Sequence, residues 1–167
     1  GTDVSLAFNH ALIQLNFSAG LTTGFTYAIT NISISGVNNS GTFTYSNSIG
    51  DWTAQDGTAS YAYAGDFNGT ITDNVLKLST GSNALMLMPQ TVPAGAEISI
   101  TYTATANSTN QVTFNGTKKV AIGGVEWKKG SNICYKLILP TGAEAITYST
   151  VVNPWGEEDS QDKTTQP

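Results

Sequence analysis

Wherever this chain is apolar, its hydrophobic residues alternate with polar ones at a period of two, which is the mark of strands that bury one face. Val4, Leu6 and Phe8 share one parity, and Ile13, Leu15 and Phe17 share the other. The phase therefore slips near His10 to Leu12, where a β-bulge or strand break is expected. The same slip separates Phe25, Tyr27 and Ile29 from Ile32 and Ile34, ahead of a turn across Gly36 to Gly41 and a short strand from Thr42 to Ser46. Residues 47–83 pattern poorly. Gly50-Asp51, Asp56-Gly57, Gly65-Asp66, Asn68-Gly69 and Asp73-Asn74 mark turns between weak strands at Ser60 to Ala64 and Thr70 to Leu78. Loops and an irregular sheet edge are expected there.

Regularity returns with Ala84 to Met88, then Pro89, then Glu97 to Ala106 with Ile98, Ile100 and Tyr102 on one face. Gln111 to Phe114 and Lys118 to Ile122 flank Asn115-Gly116, a pair that favours a type I′ hairpin turn. Ile133, Tyr135, Leu137 and Leu139 form the clearest core-facing row, and Ala145 to Val151 supplies a last strand. About ten short strands without a convincing helix predict an all-β fold over residues 1–156, a two-sheet antiparallel β-sandwich or a partly closed barrel. The tail 157–167 is polar and acidic, a composition that orders only when its own sheet or a neighbouring molecule holds it.

Composition supports the strand reading. Charged residues make up 11% of the chain against a usual ~25%, so uncharged side chains carry its polarity, chiefly 24 Thr and 15 Ser. Thr is β-branched and suits a half-exposed pleated surface. The net charge of −5 is concentrated in the tail, at Glu157, Glu158, Asp159 and Asp162. All seven basic residues are Lys, so neither a bidentate phosphate reader nor a basic stripe exists, and nucleic acid is excluded as a partner. One cysteine, Cys134, cannot form an internal disulfide and reads as a small semi-buried apolar residue.

Little in the chain suggests catalysis. His10 is the only histidine; its parity with Val4, Leu6 and Phe8 predicts a core-edge residue hydrogen-bonded to backbone rather than a ligand or base. Asp51, Asp56, Asp66 and Asp73 could in principle make a glycosidase pair, but each sits in turn chemistry where Asp caps its own backbone. Neither a metal nor another cofactor is expected. Trp52, Tyr61, Tyr63 and Phe67 cluster in the turn-rich middle, where a flat aromatic platform could stack on sugars; ordinary sheet packing is the competing account. Composition alone provides about three of the six Asn-x-Ser/Thr triplets, and none is read as a modification site.

Several local patterns together resemble the fimbrillin-like family, the type V pilins and pilus-associated surface proteins of Bacteroidales. Val4 to Leu15, with Phe8, His10 and Ala11, looks like the family's Phe-x-His-Ala strand. Leu87-Met88-Pro89-Gln90 resembles its step before a long strand, and Trp127 to Leu137 resembles its Trp-x-x-Gly followed by an aromatic-bearing strand. Val152-Asn153-Pro154-Trp155 resembles its closing segment. His10, Pro89, Gln90 and Trp127 then read as fold determinants, with Trp127 and Tyr135 covering one end of the core.

The resemblance implies the second of two β-sandwich domains, with transthyretin-like Greek-key topology. It also implies export as a lipoprotein precursor to the cell surface or a fimbrium. The expected function is that of a non-catalytic structural or adhesive subunit, joined to neighbouring fimbrial subunits by β-strand addition, with a host or bacterial surface protein or glycan as a further partner. The expected donor strand comprises Ala145, Ile146, Tyr148, Val151, Val152 and Trp155. A carbohydrate-binding module of a surface protein is the alternative, built on the platform of Trp52, Tyr61, Tyr63 and Phe67.

Overall fold

The computed structural model describes residues 10–46 and 49–155. The expected strand over Val4 to Phe8, and the tail 157–167, lie outside the described residues. In chain order the strands are β1 (Ile13–Gly20), β2 (Phe25–Val37), β3 (Ser40–Ser46), β4 (Ile49–Asp56), β5 (Ala59–Ala62), β6 (Ile71–Thr72) and β7 (Val75–Lys77). They continue as β8 (Leu85–Leu87), β9 (Gln90–Thr91), β10 (Glu97–Ala106), β11 (Gln111–Ala121), β12 (Glu126–Trp127), β13 (Ser131–Ile138) and β14 (Thr147–Pro154). No helix occurs among the described residues.

Two large sheets form a β-sandwich. One has the order β14-β13-β1-β7-β6, with β8 also on β1; the other has the order β11-β10-β2-β5. Two short ladders, β9 with β12 and β3 with β4, stand apart from them. The core is the sum of the alternating inward rows: Ile13, Leu15 and Phe17 with Ile133, Tyr135 and Leu137 from one sheet, and Ile32, Ile34, Ile98, Ile100 and Tyr102 from the other. Each such side chain contributes about 1.5–3 kcal/mol by leaving water. Trp127 is fully buried and donates its indole N–H to the Tyr135 hydroxyl at 3.0 Å, which satisfies both polar atoms inside the core.

Among the described residues, strand pairing is antiparallel with one exception. β1 and β13 run parallel in unbroken register from Gln14↔Asn132 to Gly20↔Ile138, a pairing that no local sequence pattern announces. On its other side β1 is shared between β8, over Ile13 to Leu15, and β7, over Ser18 to Gly20. Tyr63 is buried beside the gap between them. Its ring meets Phe17 edge-on at 4.8 Å, and its hydroxyl lies between Asn16 Oδ1 at 3.4 Å and Asn83 Oδ1 at 3.3 Å.

The phase slip before Ile32 is a bulge. Thr101 pairs with Asn31 and Tyr102 with Ile29, leaving Thr30 unopposed. Two turn expectations are corrected. Asn115-Gly116 lies inside β11, opposite Thr103 and Tyr102, and the chain reverses at residues 107–110 instead. β10 is a long, strictly alternating strand whose whole edge needs a partner, and that requirement overrides the local turn preference of Asn-Gly. Thr103 Oγ1 donates to Asn115 Oδ1 at 3.1 Å across the pair. Gly50-Asp51 likewise lies within β4, in a region read as loop. Gly50 serves a cross-strand aromatic rather than a turn: a Cβ there would fall 2.3 Å from Phe43 Cζ. Asp73-Asn74 is a turn as expected, with φ of 50° and 60° joining β6 to β7.

Candidate functional site

Each large sheet ends in a long strand with one outer side, and the two are built differently. β11 carries Lys118 and Lys119, and its pairing with β10 is broken by a bulge at Thr113, between the pairs Ala104↔Phe114 and Thr105↔Val112. Charged side chains and bulges both blunt an edge against unwanted strand pairing. β14 has neither. Its register with β13 is continuous from Ser131↔Pro154 to Ile138↔Thr147, and residues 147–154 contain no charged side chain. Among the described residues β14 is the end of its sheet.

Of the residues expected to form a donor strand, Tyr148, Val151 and Val152 lie in β14 and are paired with β13, while Ala145 and Ile146 precede the strand and Trp155 follows it. Ile146 is buried, Tyr148 packs on the Tyr135 ring at 5.3 Å, Val151 is half-buried, and Ala145 and Val152 are exposed. Trp155 closes the strand by donating its backbone N–H to the Gly130 carbonyl at 2.8 Å. Its ring stacks on His10. His10 is exposed in this stack, which corrects the expectation of a core-edge histidine bonded to backbone; its place in the alternation ends before β1 begins.

The β3–β4 hairpin is fastened to the sandwich by side chains. Trp52 Nε1 donates to the Ala11 carbonyl at 2.7 Å, Gln55 Nε2 donates to the Pro89 carbonyl at 2.6 Å, and the Lys129 ammonium donates to the Gly50 carbonyl. Gln90 is buried just after Pro89 and anchors the base: its Oε1 accepts from the Asn38 amide at 2.9 Å, and its Nε2 donates to the carbonyls of Asn38 and Met88. Between β4 on one side and β9 with β12 on the other lies an open cleft of about 340 Å³.

Of the four aromatics expected as a platform, Trp52 lines this cleft. Tyr63 is buried against Phe17, whereas Tyr61 and Phe67 are half-buried against the core. Composition and spacing could not separate these environments. The other cleft residues were missed because β4, β9 and β12 are far apart in sequence. Asp66 behaves as a turn residue, its Oδ1 accepting from the Asn68 amide at 3.1 Å, whereas Asp51 sits within β4 and its Oδ1 accepts from the Trp52 amide at 3.0 Å. Among the described residues no three His, Cys, Asp or Glu side chains converge as a metal site. The perturbed acids are tyrosines, with Tyr63 and Tyr135 pushed up to about 12 by burial.

Among the described residues, a two-sheet sandwich with a buried aromatic end, a charged and bulged β11 border and a regular, uncharged β14 border is a β-rich scaffold whose prominent feature is a strand border. The fimbrillin-like family model matches residues 1–155, and the chain belongs to that family. Its fold is similar to a fimbrial protein from Bacteroides vulgatus, with a TM-score of 0.59 and 17% identity over 88% of this chain and 55% of that one. It is also similar to a candidate cell adhesion protein from Bacteroides uniformis, with a TM-score of 0.53 and 18% identity over 91% of this chain and 53% of that one. The chain thus spans about half the length of these two structures. No curated protein matches it.

Proposed function

We propose that this chain is a non-catalytic structural or adhesive part of a fimbrial subunit at the cell surface, joined to its neighbours by β-strand addition along β14. The carrying observation is the contrast between the two sheet borders. A row of backbone donors and acceptors on a regular, uncharged strand is a template for a further strand, whereas the lysines and bulge of β11 disfavour one. Family membership and the fimbrial and adhesion proteins of like fold support the same reading. Val152, exposed on β14, gives an arriving strand an apolar side chain to cover.

The test is to place lysine on that border. Thr150→Lys with Val152→Lys should leave the protein folded and β-rich by circular dichroism. In the full-length protein it should reduce co-assembly with neighbouring subunits, read by native mass spectrometry and electron microscopy. Undiminished assembly of the folded double variant would refute the role of β14.

A further inference from the structure

The cleft between the β3–β4 hairpin and the β9–β12 ladder has a lining suited to a ligand of a particular kind. Trp52 contributes a half-buried indole whose N–H is already used on Ala11, so its ring can offer only an apolar surface. Around it stand Asp51, Gln55, Thr91, Glu126 and Lys128. Gln55 spends its amide N–H on Pro89, which leaves its Oε1 as an acceptor. Asp51 and Glu126 bring carboxylate oxygens, Thr91 a hydroxyl, and Lys128 an ammonium 3.8 Å from Glu126.

This set excludes several ligand classes by its chemistry. The two lining carboxylates, Asp51 and Glu126, offset the two lining ammonium groups, Lys128 and Lys129, so the cleft has no net positive charge with which to hold a phosphate or another polyanion. The mostly polar, open lining offers little to a wholly apolar molecule. A neutral polyol ring fits both halves of the lining. Its C–H face can lie on the indole, and its hydroxyls can donate to carboxylate and amide oxygens while accepting from Thr91 and Lys128. A cleft of about 340 Å³ has room for one or two sugar rings. The walls are also fixed in advance, because Gln55, Lys129 and Gln90 tie the hairpin to the body, so little ordering accompanies binding.

We propose that this cleft is a saccharide-binding site, with Trp52 as the stacking surface and Asp51, Glu126 and Gln55 as the hydroxyl readers. It is independent of strand addition: it lies on β4, β9 and β12 and is complete within one chain. It retains Trp52 of the aromatic platform and replaces Tyr61, Tyr63 and Phe67 with polar residues from elsewhere in the sequence.

The experiment is saturation-transfer NMR on the isolated protein, with a panel of neutral methyl glycosides and the corresponding disaccharides as probes. Saturable binding of at least one probe is expected, weakened about tenfold in Asp51→Asn and in Glu126→Gln, since each loses a charge-assisted hydrogen bond. Trp52→Ala should abolish binding. Trp52→Phe keeps a ring while losing the bond to Ala11, and should retain most of it. Absence of saturable binding across the panel would overturn the proposal. So would binding that is indifferent to the Asp51 and Glu126 variants, because both leave the hairpin clasps intact.

Discussion

The His10 imidazole lies flat on the Trp155 indole, with ring centroids 4.0 Å apart and planes 7° from parallel, so one stacked pair joins the two ends of the described chain. The pair holds the far end of β14 where the Trp155 amide also bonds to Gly130. His10→Ala should cost about 0.5 kcal/mol, the low end for an aromatic pair, because the imidazole is exposed. Its sharper effect is local. Amides from Val151 to Trp155 should exchange faster in hydrogen-exchange mass spectrometry, while those of β10 keep their protection. Equal protection of β14 in the variant would show that the stack does not restrain it.

Gln90 satisfies three backbone groups from a buried position. Gln90→Leu strands the Asn38 amide and carbonyl, and should destabilise the domain by about 2–3 kcal/mol. Urea unfolding would show this as a lower midpoint with an unchanged slope. A loss below about 0.5 kcal/mol would mean that water replaces the amide there without penalty.

The buried tyrosines set an alkaline limit. Burial raises the hydroxyls of Tyr63 and Tyr135 to about 12, and raises Tyr102 in the same direction, against about 10 in an unfolded chain. As pH rises past about 10 the unfolded state loses these protons first. Stability that is fully present below that pH therefore falls as pH climbs through the folded values. Ionisation of the last tyrosines should coincide with loss of the near-ultraviolet circular dichroism signal. Their complete ionisation with that signal intact would contradict the burial account.

The guarding of β11 is open to a reverse test. Lys118→Thr with Lys119→Thr removes the two charges and the Lys119–Glu97 ion pair. Exposed pairs contribute little, so the domain should lose less than about 1 kcal/mol. Self-association should nonetheless rise, giving a concentration-dependent larger species by light scattering. A variant whose scattering matches that of the parent protein would show that the bulge at Thr113 guards the edge by itself.

Much of the sandwich was legible because its strands obey strict alternation. Glu97 to Ala106 was bounded correctly by Ile98, Ile100 and Tyr102, and the phase slip before Ile32 located the Thr30 bulge. The misreadings came from residues with two uses. Asn115-Gly116 favours a turn alone and a strand beside β10; Gly50 looks like a turn residue until Phe43 lies across it. His10 followed the parity of its predecessors but stacks on a residue from the other end of the fold. The cleft was not legible, since Gln55, Thr91 and Glu126 meet only after three separate segments are folded together.

Across the parallel seam of β1 and β13, the hydrogen bond from Asn16 to Asn132 joins positions 116 residues apart. A contact of that span cannot form until almost everything between has been supplied, and folds dominated by such contacts close slowly. During synthesis from the N-terminus, β1 can gather β8 and β7 but must wait for β13. The central strand of the sheet thus stays open along one side until its late strands arrive.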